Sequence, residues 1–242
     1  MNRRIETWFQ PVFAAADGEL WGHECLARAR DEAGEIIPPV ELFAAARRER
    51  LTFMLDRICR ETHIASAGRH QLGIDTHVLI NFVPTAIYNP AYCLRTTDRA
   101  IERCGLDRGK IIFEVVESEQ IDDREHLNAL LGHYRRNGYG VALDDVGAGY
   151  AGLTMLAEMM PDLVKIDRAL VVGAAENRAH HAICAALIRI AHDCGKLALA
   201  EGIETDAQWR AMTDLGVDLL QGFRFARPCA EPRHEPAHVV AA

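Results

Sequence analysis

Polar residues close seven short apolar runs in this chain. Glu24 follows "LWGH", Asn81 follows "VLI", Glu114 follows "KIIF", Asp144 and Asp145 follow "VAL", Lys165 follows "DLV", Glu201 follows "LALA" and Gln221 follows "VDLL". Any one of them could end a strand simply because the loop beyond it is wet. The recurrence of acids, amides and a single lysine is harder to dismiss. Carboxylates crowded together repel and raise one another's pKa unless cations are present. Oxygen donors without histidine or cysteine suit Mg²⁺ or Mn²⁺ better than zinc or copper. With this many acids two ions are expected, about 3.5–4 Å apart, polarising a phosphoryl oxygen and activating a water. That is the chemistry of phosphate-ester hydrolysis, with Lys165 adding positive charge beside the water or the phosphate. A second chemistry fits the same inventory: barrel enzymes of the enolase type set a lysine base against an enediolate held on Mg²⁺.

The stretch "VALDDVGAGY", residues 141–150, poses the sharpest positional question. Neighbouring side chains on a strand point to opposite faces, so Asp144 and Asp145 can share one rim only if the strand breaks there. Gly147 and Gly149 supply the break.

The elements that must position these residues alternate between apolar runs and helical periods, the pattern of repeated βα units. Strand candidates are "TWFQPVF", "LWGHECLA", "VLINFV", "KIIFEVV", "YGVALDD", "DLVKID", "KLALAEG" and "VDLLQG". The first two lie too close together to hold a helix and read as a hairpin around Asp17-Gly18. The expected fold is therefore α/β, a modified (β/α)₈ TIM-type barrel with one antiparallel strand, in which the strand ends converge on one face. An open doubly wound sheet is the alternative, and it would spread them along a line. Among the helices, Leu127, Leu130, Leu131 and Tyr134 form one apolar stripe ending at Gly138, and Ile183, Leu187 and Ile190 form another ending at Gly195. Thr205 and Gln208 stand at capping-box spacing, which makes Gln208 a cap rather than a catalytic group.

Composition narrows the function classes. The 242 residues, 49% of them hydrophobic, can bury one large core, so residues 1–230 are expected as a single barrel and 231–242, rich in proline and alanine, as a disordered tail. A net charge of −8 without a basic stripe argues against a duplex DNA or RNA partner, and Arg47-Arg48 and Arg135-Arg136 read as solvated helix faces. Seven cysteines without a CxxC pair suggest neither a disulfide framework nor a zinc site and fit a reducing cytoplasm. No HExxH occurs, and His180-His181 are adjacent on a helix and do not face one another. No signal peptide and no membrane span is expected. The few residues before Trp8 hold no sensor, receiver or cyclase domain, so regulation is expected from expression, a protein partner or a dimer interface.

Taken together the motifs resemble those of the EAL domain, the family of bacterial cyclic-di-GMP phosphodiesterases, from "WFQPVF" to "QGFRFARP". The eponymous motif stands as "ECLAR", with Cys25 where alanine is usual. "INFVP", "FEVVES", "ALDDVGAGYAGL", "VKID", "AEGIET" and "QGFRFARP" follow in the family's order. The resemblance implies a pair of Mg²⁺ or Mn²⁺ ions held by Glu24, Asn81, Glu114, Asp144, Asp145 and Glu201. It implies that Lys165 and Glu201 handle the nucleophilic water, with Glu24 and Asp145 completing the catalytic group and Glu204 and Gln221 in support. Glu117 would hold the loop that begins at Asp145, and Gln10, Arg28 and Gln221 would meet the dinucleotide. The implied reaction is hydrolysis of cyclic-di-GMP to linear pGpG, and the implied assembly is a homodimer through the face near that loop. The chain departs from the pattern at Val83, Val116, Val146 and Ala151-Gly152, where serine, threonine, phenylalanine and a serine pair are usual. None of these removes a metal ligand. An active enzyme is the expectation, and a cyclic-di-GMP receptor or protein-interaction module is the alternative.

Overall fold

A computed structural model describes residues 4–86, 90–116, 124–149 and 152–235. Strands β1 (Ile5–Ala14) and β2 (Leu20–Arg30) form the expected antiparallel hairpin, with Gly18 at φ 75° in its turn. A two-residue strand, β3 (Ile36–Ile37), pairs antiparallel with the end of β2 and was not legible as a strand. Then β4 (His77–Asn81), β5 (Ile111–Val116), β6 (Gly140–Val146), β7 (Leu163–Ile166), β8 (Leu197–Ala200) and β9 (Leu219–Leu220) follow, each parallel to its predecessor from β2 onward. Strand β1 pairs antiparallel with both β2 and β9, which closes the ring. The open-sheet alternative is excluded by that closure.

Between the strands run α1 (Pro39–Arg48), α2 (Thr52–Arg69), α3 (Pro90–Cys104), α4 (Arg124–Arg136), α5 (Gly152–Met159), α6 (Arg168–Ala174), α7 (Arg178–Asp193) and α8 (Asp206–Asp214). The stripe on α4 is buried as expected, from Leu127 to Tyr134, and Gly138 follows at φ 87°. On α7 the expected face is corrected. Leu187 is buried as expected, but Ile183 and Ile190 are exposed, and Cys184, Ile188 and Ala191 complete the buried face, which is rotated by about one residue's 100° step. The Thr205–Gln208 capping box on α8 is present in full. Arg135 is not simply solvated: its Nη2 donates to the carbonyls of Met159 and Met160 at 2.6 and 2.7 Å, satisfying the end of α5.

The barrel's own core explains how the site is placed. Val12, Leu79, Ile112, Ala142, Leu163, Leu199 and Leu219, from seven strands of the ring, form a buried apolar cluster inside it, and the partly buried Trp21 of β2 packs against them. Side chains repeat their facing every two residues along a strand. Two positions beyond that cluster on β4 to β9 stand Asn81, Glu114, Asp144, Lys165, Glu201 and Gln221, and on the antiparallel β1 the same level is reached two positions earlier, at Gln10. The larger apolar core lies outside the ring, between strands and helices, and includes Phe9, Ile80, Phe113, Leu143, Val164 and Phe225.

The described chain continues past residue 230. Cys229 pairs with Phe9 through both backbone bonds, at 2.8 and 3.1 Å, and His23 Nε2 donates to the Arg233 carbonyl at 2.8 Å. Residues 236–242 lie outside the described chain. Among the described residues no helix is long and apolar enough to cross a membrane, and the six described cysteines are unpaired.

Candidate active site

The two adjacent acids share a rim because β6 is bulged. Its pairing with β7 shifts register between Leu143 and Val146, and Asp145 adopts φ 56°, in the left-handed region. A bulge of this kind re-aims a side chain that regular alternation would send to the other face. The Asp145 backbone N–H donates to Asp144 Oδ1 at 3.0 Å. Gly147, at φ 103°, continues the turn, and a Cβ there would lie 2.2 Å from Leu170 Cδ1.

Lys165 occupies the centre of the acidic group. Its side chain is 1% exposed, and Nζ lies 2.8 Å from Glu114 Oε1, Asp144 Oδ1 and Glu201 Oε1 and 3.8 Å from Glu24 Oε2. Burial alone would lower the lysine's pKa, but Asp144, Glu114, Glu201 and Glu24 outweigh it and hold the ammonium above the usual lysine range. Glu114 and Glu201 are pushed up, first by burial and then by the neighbouring acids, against the pull of Lys165. Asp145 rises to about 6 through burial and then Asp144. One ammonium among five carboxylates leaves the site short of positive charge.

Amides tie the acids into one frame. Asn81 Nδ2 donates to Glu24 Oε1 at 3.2 Å and Glu114 Oε2 at 3.0 Å, and Gln221 Nε2 donates to Glu24 Oε2 at 2.9 Å. The exit of β4 is fixed from outside: Asp56 Oδ1 on α2 accepts the Val83 N–H at 2.9 Å, and Arg60 Nε and Nη2 donate to Asp56 Oδ2 at 3.0 and 2.7 Å. Two sets of carboxylates can each bring ligand oxygens within 4.8 Å of one another, Glu24 with Glu114 and Asp144, and Asp144 with Asp145 and Glu201. They overlap at Asp144, the arrangement a pair of divalent ions needs for a bridging ligand. The all-oxygen donor set fits Mg²⁺, Mn²⁺ or Ca²⁺.

A cavity of about 290 Å³ opens above this centre, and Gln10, Glu24, Asp144, Asp145, Lys165, Glu201, Glu204 and Gln221 line it. Gln10 faces Glu24 across the β1–β2 register. Asn81 and Glu114 lie against the centre through their bonds to it. Arg28 stands apart from this cavity: it lines an adjoining one of about 310 Å³ with Asn81 and Val83, and its guanidinium lies 5.1 Å from the Trp8 ring centroid. Glu117 falls outside the described residues. Leu26, Asp167, Arg168, Gly202 and Phe223 also line the main cavity and were not singled out from the sequence. For Asp167 and Arg168 the signal was present, since they directly follow a strand whose end was already marked at Lys165.

A ring of eight strands with an acidic centre at the C-terminal strand ends defines a modified TIM-type barrel. The family follows from the sequence match: the EAL domain matches residues 1–228, and the chain belongs to that family. It is 29% identical over 229 residues to the cyclic di-GMP phosphodiesterase PdeL of Escherichia coli, covering 94% of this chain. Among solved structures, a standalone EAL protein from Vibrio cholerae in its c-di-GMP bound form superposes with a TM-score of 0.86 at 30% identity, covering 98% of both chains. BlrP1 of Klebsiella pneumoniae in a manganese/cy-diGMP complex gives 0.84 at 31% identity, over 93% of this chain and 56% of that one. The chain spans 33% of the length of one curated relative and 63% of another.

Proposed function

We propose that this chain hydrolyses one phosphodiester of cyclic di-GMP to linear 5′-pGpG, using a pair of Mg²⁺ or Mn²⁺ ions. The observation that carries this reading is the pair of carboxylate triads sharing Asp144 around a buried Lys165 at the barrel mouth. Glu24, Asn81, Glu114, Asp144, Asp145 and Glu201 are the residues that would hold the ions. Bound divalent ions supply Lewis acidity and lower the pKa of a coordinated water. The chain's own groups do the rest. Glu201 takes a proton from the attacking water, whose oxygen forms the new bond to phosphorus. The bond from phosphorus to the 3′ oxygen breaks, that oxygen takes a proton from solvent water, and Glu201 returns its proton to solvent. Lys165, held charged by its neighbours, offsets negative charge on the phosphoryl oxygens. Gln221 and Asn81 fix Glu24 in place, and Gln10 meets the dinucleotide from β1.

Incubation with cyclic di-GMP and Mn²⁺, with products separated by ion exchange, tests this. Metal-dependent appearance of pGpG, abolished by chelator and by Glu24→Ala or Glu201→Ala, is the expected result. Val83 and Val146 stand where the family usually has serine and phenylalanine, which favours a receptor as the second reading. Intact nucleotide together with calorimetric binding would select it.

A homodimer goes with the same reading. Leu153, Met160 and Ile190 are exposed around an apolar groove of about 350 Å³ between α5 and α7, on the side of the barrel that follows the Asp145 turn. Light scattering after size exclusion is expected to give twice the chain mass, and a monomer at high concentration would refute it.

A further inference from the structure

Six acidic side chains line the cavity against two cationic ones, yet its proposed ligand carries two phosphodiesters. One of them would sit over the metal centre. The other must lie elsewhere on a rim lined by Asp167, Glu201 and Glu204, which would repel it unless a cation stood there. Among the described residues two cationic side chains line the cavity, Lys165 and Arg168. Lys165 is enclosed by three carboxylates at 2.8 Å and 1% exposed, so it is not available to a second anion. Arg168 is 60% exposed.

We infer that Arg168 binds the phosphodiester of the cyclic dinucleotide that is not being cleaved. This assignment rests on the function proposed above and adds a substrate contact to those expected of Gln10, Gln221 and Arg28, the last of which lines the adjoining cavity. The position of Arg168 is built rather than incidental. It is the first residue of α6, set by Asp167, whose side chain accepts the Ala169 N–H at 2.9 Å and caps the helix. Its stem lies across Gly202, where a Cβ would come within 2.3 Å of Arg168 Cγ. Gly202, at φ 65°, directly follows Glu201. Any side chain at 202 would therefore push the arginine away from the cavity. Its far end is held by Glu204, which accepts from Nη2 at 2.9 Å. A guanidinium presents five donors in a planar fork, and that single hydrogen bond leaves the fork able to meet a phosphate in two-point fashion. Arginine suits the place better than lysine, because it keeps its charge in any environment and matches phosphate oxygens geometrically.

A role confined to bracing the Glu201–Glu204 loop makes a different prediction, and two substrates separate the two. Cyclic di-GMP has a second phosphate, whereas bis(p-nitrophenyl) phosphate has only the one that is cleaved. Steady-state rates with Mn²⁺ are compared for the wild type, Arg168→Met and Arg168→Lys. Loss of one charge-assisted contact is expected to raise KM for cyclic di-GMP about tenfold in Arg168→Met, with a smaller change in kcat. Arg168→Lys, which keeps the charge but not the fork, is expected between the two. The KM for bis(p-nitrophenyl) phosphate is expected to move by less than about twofold. If the chain binds the dinucleotide without turning it over, the same ratio is read from calorimetric Kd values. Equal losses on both substrates, or none on cyclic di-GMP, would overturn the assignment while leaving the proposed function standing. A wild type that neither binds nor cleaves cyclic di-GMP would remove both.

Discussion

Replacing Arg60 by methionine tests whether the α2 face governs the far side of the acidic centre. Arg60 is fully buried and Asp56 is 2% exposed, and their closest approach is 2.7 Å. At an effective dielectric constant of about 20, a pair at that distance attracts by about 6 kcal/mol, but removing two charges from water opposes it at a similar scale. The pair itself therefore contributes little net stability. Leaving one partner behind is different. In Arg60→Met the Asp56 carboxylate stays buried opposite a thioether, and Thr97 Oγ1 loses the donor that Arg60 Nη1 supplies at 2.8 Å. The expected loss is about 3–5 kcal/mol, or about 6–20 °C in Tm for a chain of this size. Asp56→Ala should lose at least as much, because it removes the carboxylate beside a buried guanidinium and leaves the Val83 N–H without its acceptor. The double variant should lose less than the sum of the two. Urea unfolding of all four proteins gives the coupling energy. An Arg60→Met stability within about 1 kcal/mol of wild type, or losses that add within about 0.5 kcal/mol, would refute the reasoning. Because Asp56 fixes the backbone two residues past Asn81, both single variants should also weaken Mn²⁺ binding, measured by calorimetry.

Other expectations follow from single features. His63, buried and bonded to Thr7 Oγ1 through Nδ1 at 2.8 Å, has its pKa lowered by burial to about 3. Since the unfolded chain binds that proton near pH 6.5 and the folded chain does not, the stability tied to neutral His63 is complete above pH 6.5 and lost as pH falls toward 3. The loss should be about 2 kcal/mol at pH 5. Urea titrations of His63→Gln should show a shallower fall in stability between pH 7.5 and 5 than the wild type, and identical slopes would refute this. Gly147→Ala places a methyl against Leu170 in a left-handed backbone, so a loss of about 1–3 kcal/mol and a fall in Mn²⁺-dependent hydrolysis are expected from thermal melts and rate assays. Thr205→Ala removes the α8 cap and should lower stability by about 1 kcal/mol, read from urea midpoints.

The strand-end residues were legible because period two carries a facing from the cluster inside the barrel to the level above it, from Leu79 to Asn81 and from Leu163 to Lys165. The sharing of a rim by Asp144 and Asp145 was legible only as a question. Its answer lies in a left-handed aspartate, which no neighbouring glycine reveals. The buried face of α7 was misread because Ile183 and Ile190 have the right spacing for a core stripe. Which stripe is buried depends on how the helix is rotated against β7 and β8, and that is set by tertiary packing. Asp56 and Arg60, an i, i+4 pair on α2, were not singled out from the sequence, and their enclosure depends on Thr97 of α3, distant in sequence. Arg168 was missed although it lies just past the strand end marked at Lys165; only its packing across Gly202, distant in sequence, was illegible. The homodimer, Arg28 and Glu117 remain expectations carried by family resemblance.

The apolar cluster inside the ring makes the catalytic cavity a blind well. With these side chains packed beneath the acids, the mouth cavity and the cavity at the base, lined by Trp21 and His77, share no lining residue. A ligand that enters past Phe223 and Arg168 has to back out along the same path. Departure of what has been made and arrival of what is next thus contend for a single doorway. Under the proposed reaction, a linear product still held by the centre excludes fresh substrate, and accumulating product is expected to slow turnover by competition at the entrance rather than by any change of shape elsewhere.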